Sequence, residues 1–144
     1  MRFDLAQRLV TDFPALRFVV NGGIAGNDAI AGALASFDGA MVGRMAYHDP
    51  WQLAAWDERF FGAAATAHDR DGVEAAMVAY MAEQQRLDGT PWPRIARHML
   101  GLRHGEPGAR FWRQVWSDAR LRERPVAEVS RRARAAMAAV AVAA

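Results

Sequence analysis

The chain has no cysteine and no lysine among its 144 residues. The missing cysteine excludes disulfides, thiolate metal sites and cysteine catalysis within this chain, and makes a cytoplasmic setting the default. No apolar run approaches the roughly 20 residues of a membrane-spanning helix, so no span is expected. The first residues, from Met1 to Arg8, lack the apolar centre of a secretory signal. The first half is also short of positive charge. Residues 1–85 hold 6 arginines against 11 acids, a net −5, whereas residues 86–144 hold 12 arginines against 5 acids, a net +7. Such a basic half attracts polyanions. With 52% apolar residues the length suits one ordinary domain or two smaller pieces, each able to bury a core.

Two short apolar runs rich in β-branched residues organise the first half: Phe18-Val19-Val20-Asn21-Gly22-Gly23-Ile24 and Gly39-Ala40-Met41-Val42-Gly43-Arg44. Runs of this kind bounded by turn residues read as parallel strands buried on both faces. Between them Asn27–Phe37 has helical length, with apolar Ile30, Ala33, Leu34 and Phe37. The unit is therefore strand, helix, strand. Both strands end in glycine, at Asn21-Gly22-Gly23 and Gly43-Arg44. Glycine lets backbone amides approach an anion, a following helix adds its N-terminal dipole, and Arg44 adds a fork of donors. In (β/α)8 barrels the loops after the last two strands make such a phosphate site. A plain tight turn beside a solvated arginine has the same spacing.

Residues 2–11 carry Phe3, Leu5, Ala6, Leu9 and Val10 at helical spacing and stop at Pro14. Helix, strand, helix, strand reads as part of something larger, because two parallel strands cannot close a barrel and each leaves an edge. Asp49 and Pro50 suit the cap and first position of a short helix through Trp56. His48 fits either a turn histidine or a ligand at the strand ends. Residues 61–71 read as a linker.

From Val73 the period is helical, with Val73, Ala76, Met77, Tyr80, Met81 and Leu87 on one face, Asp71 as the cap and Asp88-Gly89 as the stop. The next helix starts at Thr90-Pro91-Trp92-Pro93. It turns Ile95, Ala96, Met99, Leu100 and Leu102 inward and Arg94, Arg97, His98 and Arg103 elsewhere. His98 and His104 are too isolated for metal ligands. After a turn at 104–108, Phe111, Trp112, Val115, Trp116 and Ala119 share one face, and Arg110, Arg113, Ser117, Arg120 and Arg124 the opposite one. That second face is an arginine track, either solvated or meeting a phosphate backbone. Pro125 opens a last helix with Val126, Val129, Ala133, Ala136 and Val140 inside. Its alanine-rich end, residues 135–144, is expected to fray. Four helices with short connections read as a small bundle.

Three segments together, FVVNGGI, DGAMVGRMAYHDPW and IARHMLGLRHGEPGARFWRQVWSD, resemble the C-terminal part of the tRNA-dihydrouridine synthase family, most closely its A subfamily. The likeness covers nearly the whole chain in order and spacing, and the third segment is the most specific. The resemblance implies an α/β fold: a C-terminal fragment of a (β/α)8 barrel over residues 1–60, then an all-α four-helix bundle over residues 72–144 that binds tRNA. It implies that Asn21, Gly22, Gly23, Gly43 and Arg44 bind the FMN phosphate, and that Arg110 and Arg113 contact tRNA. In such enzymes NADPH reduces FMN, FMN passes hydride to C6 of uridine, and a barrel cysteine protonates C5. That cysteine and the earlier strands have no counterpart here, so the chain is expected to be inactive alone and to offer no catalytic residue. Two other readings fit parts of the sequence: a stand-alone RNA-binding helical module, and a piece of a different FMN barrel whose likeness stops at the glycine loops.

Overall fold

The structure is a computed structural model and describes residues 2–65 and 67–141. It divides into two compact units. The first holds residues 2–47 and 52–65. The second holds His48–Trp51 and residues 67–141.

In the first unit helix α1 (Phe3–Asp12) leads to strand β1 (Val19–Asn21), helix α2 (Asn27–Leu34) and strand β2 (Gly39–Met41). The strands pair in parallel, Val19 opposite Gly39 and Asn21 opposite Met41. A clasp precedes the pair: Phe18 N–H donates to the Asp38 carboxylate at 2.8 Å, and Asp38 N–H to the Phe18 carbonyl at 3.0 Å. Val20, Ile24, Ile30, Ala33 and Phe37 form the core, with Ala6, Val10, Trp56 and Phe60 against it. The strands are not buried on both faces. Val19 is 65% exposed and Met41 49%, because the helices of this unit cover only the Val20 side. Helix α1 likewise buries no residue completely.

Beyond β2 the chain is more helical than its spacing suggests. Helix α3 (Arg44–His48) follows, then a 3-10 segment (Pro50–Ala55) and helix α4 (Trp56–Phe61). The short helix expected after Asp49 is thus 3-10 through Ala55, and the looser stretch begins only at Gly62, whose left-handed backbone ends α4. Helix α4 ties down the start of α2: Trp56 Nε1 donates to Asn27 Oδ1 at 2.9 Å, and Arg59 pairs with Asp28.

The second unit is helical: α5 (Arg70–Asp88), α6 (Trp92–Ala96), α7 (Ala109–Trp116), a 3-10 turn (Ala119–Leu121) and α8 (Val126–Ala141). Helix α6 is a single short turn, so three longer helices carry the packing. Trp92, Trp112 and Trp116 meet edge to face, 5.6 and 6.0 Å between ring centroids. Met81, Met99, Val129 and Ala133 fill the space around them. Such aromatic contacts add to simple area burial. His48–Trp51 packs here as a strap. Trp51 joins the core, Arg70 lies 4.8 Å from its ring centroid, and Asp49 meets His104 at 3.5 Å.

Several expected faces shift. The cap of α5 is Asp69, which accepts from Gly72 N–H at 2.6 Å, so Asp71 falls inside the first turn. Tyr80, Leu87 and Ala76 are exposed on α5, whereas Glu74 is fully buried. Glu74 turns inward because three donors await it there. Arg103 is buried too, at 6% exposure, because the carboxylates of Asp71, Glu74 and Glu106 accept from it, and Phe111 is 43% exposed because α7 turns Trp112 inward in its place. The arginine track breaks after Arg113: α7 ends at Trp116, so Arg120 and Arg124 lie off the helix. The last three residues of the tail expected to fray lie outside the described residues.

Candidate functional site

Parallel pairing sets the geometry of the first candidate site. Because Asn21 stands level with Met41, the loops Gly22-Gly23 and Val42-Gly43-Arg44 leave the same edge of the sheet. Gly22 and Gly23 have φ of 113° and 69°, the left-handed region that favours glycine. A Cβ on Gly23 would meet nothing within 4 Å, so space stands open over the loop backbone. Helix α2 begins after Gly26 with no side-chain cap, which leaves N-terminal amides for an outside acceptor. Arg44 is exposed and has no carboxylate partner among the described residues. Unclaimed amides, a helix start and an unpaired guanidinium at one edge fit a phosphate. A mostly apolar pocket adjoins Gly23, lined by Ile24, Ala33 and Phe37. His48 ends helix α3, which Arg44 begins, and clusters with the helical unit.

Trp56 and Asn27 were not singled out by spacing. Their hydrogen bond orients the first residue of α2 beside the glycine loop, across 29 positions of sequence.

The helical unit is organised around Glu74. Its Oε2 accepts from Arg103 Nη2 at 2.8 Å and Trp112 Nε1 at 3.1 Å, and its Oε1 from Ser130 Oγ at 2.9 Å. Arg103 also donates to Asp71 and, at 3.2 Å, to Glu106. Arg70 reaches Glu106 Oε1 and the Leu102 carbonyl, both at 2.9 Å. Burial alone would pull the Arg103 guanidinium down, but its bonds to Asp71, Glu74 and Glu106 outweigh that and hold it above its usual value. The same bond from Arg103 lowers Asp71. This cluster is a clamp joining α5, the turn before α7, α7 and α8. Both terminal nitrogens of Arg103 are held by carboxylates, and only its buried Nε lacks a partner among the described residues, so the side chain serves the clamp.

Several arginines outside the clamp carry no acid among the described residues. Arg110 and Arg113 stand three residues apart on the exposed side of α7, opposite Trp112 and Trp116. Neither has a carboxylate partner among the described residues. Arg94, Arg97 and Arg122 line a cleft elsewhere on the unit. By contrast Arg86, Arg120 and Arg132 are each taken up by a nearby acid.

Together these features define an α/β protein with two glycine loops on one sheet edge, continued by an arginine-rich helical unit. Comparison with known proteins makes the class specific. The family described as Dihydrouridine synthase (Dus) matches residues 2–139. The chain belongs to this family. It is 41% identical over 127 residues to the tRNA-dihydrouridine(20/20a) synthase of Pseudomonas syringae pv. tomato, covering 88% of this chain and 38% of that protein. It is 40% identical over 117 residues to the enzyme of that name from Pseudomonas aeruginosa, covering 81% and 35%. It is 44% identical over 111 residues to that of Escherichia coli K12, covering 77% and 32%. The chain thus spans about a third of the length of these relatives. The likeness runs through the helical half, which removes the reading as a different FMN barrel similar only at its glycine loops.

Proposed function

We propose that this chain is the C-terminal portion of an FMN-dependent tRNA-dihydrouridine synthase, which reduces uridine in tRNA to 5,6-dihydrouridine with NADPH as reductant, in the cytoplasm. One observation carries the reading: glycine loops sharing a sheet edge are continued, within a single family match, by a helical unit rich in unpaired arginine. Residues 1–60 are read as the end of a (β/α)8 barrel, 61–71 as a linker, and 72–144 as the tRNA-binding bundle. Asn21, Gly22, Gly23, Gly43 and Arg44 hold the FMN phosphate through amides and one guanidinium. When bound, FMN supplies the hydride chemistry. Arg110 and Arg113 grip the RNA backbone.

This chain has no cysteine to protonate the base, so alone it binds and does not turn over. The test joins it to a family barrel that supplies the earlier strands and the cysteine, then assays dihydrouridine in tRNA. Product is expected, with R44A lowering FMN occupancy. Absence of product in a folded, FMN-loaded chimera would reject the reading.

A second reading, a stand-alone RNA-binding helical unit, is favoured by the +7 surplus of residues 86–144. It requires tRNA binding by this chain with a steep salt dependence, weakened in R110A/R113A on all sequences alike. Salt-independent binding would reject it.

A further inference from the structure

The helical unit contains a cleft of about 550 Å³ between the start of α6 and the turn that follows α7. Its floor is apolar, from Trp92, Trp116 and Leu100. Pro91 and Pro93 form one wall. Arg94, Arg97 and Arg122 stand around it, with Asp118 and Glu123. The volume lies within the range of small-ligand sites.

Three details separate this cleft from an ordinary solvated surface. Among the described residues the guanidinium groups of Arg94, Arg97 and Arg122 have no carboxylate partner, and their one side-chain hydrogen bond runs from Arg97 Nε to the Arg94 carbonyl, at 3.0 Å. Asp118 is already held by Arg120, with bonds of 2.8 to 3.2 Å, so it does not neutralise them. Trp116, 97% buried in the floor, keeps an indole N–H with no acceptor.

We propose that this cleft takes one unpaired nucleotide of a tRNA loop, its phosphates on Arg94, Arg97 and Arg122 and its base over the proline–tryptophan floor. Glu123 accepts from a base N–H edge. A duplex backbone suits a convex surface such as the exposed side of α7. A concave, apolar-floored cleft suits a splayed base, the usual target of RNA-reading proteins. The inference rests on the tRNA reading above and adds a second contact, separate from Arg110 and Arg113.

The test uses the whole chain, with an unmodified tRNA transcript, a short single-stranded RNA and a short blunt RNA duplex as probes. The triple variant R94A/R97A/R122A changes only exposed side chains, and matched thermal melts check its fold. It is expected to weaken tRNA and single-stranded RNA at least about tenfold and to flatten the salt slope by about 0.7 per phosphate lost. Duplex binding should hold. In NMR spectra the Trp116 indole N–H should move on adding single-stranded RNA and stay put with duplex. If the triple variant binds tRNA like wild type while R110A/R113A loses affinity, the cleft proposal fails and the tRNA reading stands. If wild type binds no tRNA, both fail. Equal competition by poly-glutamate would also overturn the proposal, since it would reduce the cleft to charge alone.

Discussion

Glu74 and Trp112 meet in the centre of the helical unit, the indole N–H donating to Oε2 at 3.1 Å with both side chains at 0% exposure. The clamp built on this pair answers why Arg103 turns inward: with Glu106 it fastens the helices there. Removing Glu74 strands Trp112 Nε1 and Ser130 Oγ in the core and takes one anion from Arg103. E74A should cost about 3 kcal/mol, within the range for a broken buried pair, and S130A about 1 kcal/mol. Urea denaturation measures both. An E74A loss below S130A would show that the clamp adds little.

The strap is the second place where stability is set by contacts distant in sequence. Arg70 lies over Trp51 and bonds to the Leu102 carbonyl and Glu106. R70A and W51A should each destabilise by about 1–3 kcal/mol. Because the two side chains touch, the double variant should cost less than the sum by about 0.5 kcal/mol or more. Strict additivity in a double-mutant cycle would mean the stacked pair contributes nothing of its own.

Much of the architecture was legible before any coordinates. Two β-branched runs tipped with glycine sit either side of a helix-length segment, which is the length that a parallel crossover requires. Gly89 ends α5 as expected, with φ of 74°, because a left-handed stop favours glycine. The misses share one cause. Reading a helix by its apolar stripe puts Glu74 and Arg103 outside, yet they pair inside across 29 positions, and Glu74's other partners lie 38 and 56 positions away. Sequence spacing carries no record of such a pairing. The same limit hid the cleft, whose arginines come from two separate turns. Its one local signal was Pro91-Trp92-Pro93 beside Arg94.

Acid should weaken the helical unit through Asp118. Hydrogen bonds from the Arg120 side chain and backbone pull its carboxyl from an ordinary 3.8 down to about 2. A carboxyl lowered in the folded state stabilises it above the unfolded value and loses that contribution as pH falls through the folded one. The Asp118 contribution is therefore complete above about pH 5, falls progressively below it and is gone near pH 1. Melting temperatures of wild type and D118N should differ most above about pH 5 and converge towards pH 1. A gap that stays constant across that range would show that charge is not what Asp118 contributes.

Two glycines in the turn before α7 separate backbone strain from packing. Gly105 and Gly108 have φ of 80° and 77°, so alanine pays the left-handed cost at both. Around Gly105 a Cβ meets nothing within 4 Å, whereas at Gly108 it would lie 2.5 Å from the Met137 carbonyl oxygen and 3.0 Å from Met137 Cγ. Here the turn rests directly on the backbone of α8, which cannot yield as a side-chain tip can. G105A should cost about 1–2 kcal/mol, the conformational term alone. G108A adds overpacking of about 1–3 kcal/mol and should also loosen α7 from α8. Hydrogen exchange distinguishes the two: G105A should leave the slowest amides of α8 in proportion to its small stability loss, while G108A should speed those around Met137 further. Equal losses for both variants would mean that α8 shifts to admit the methyl group, and that the contact at Gly108 does not hold the two helices in place.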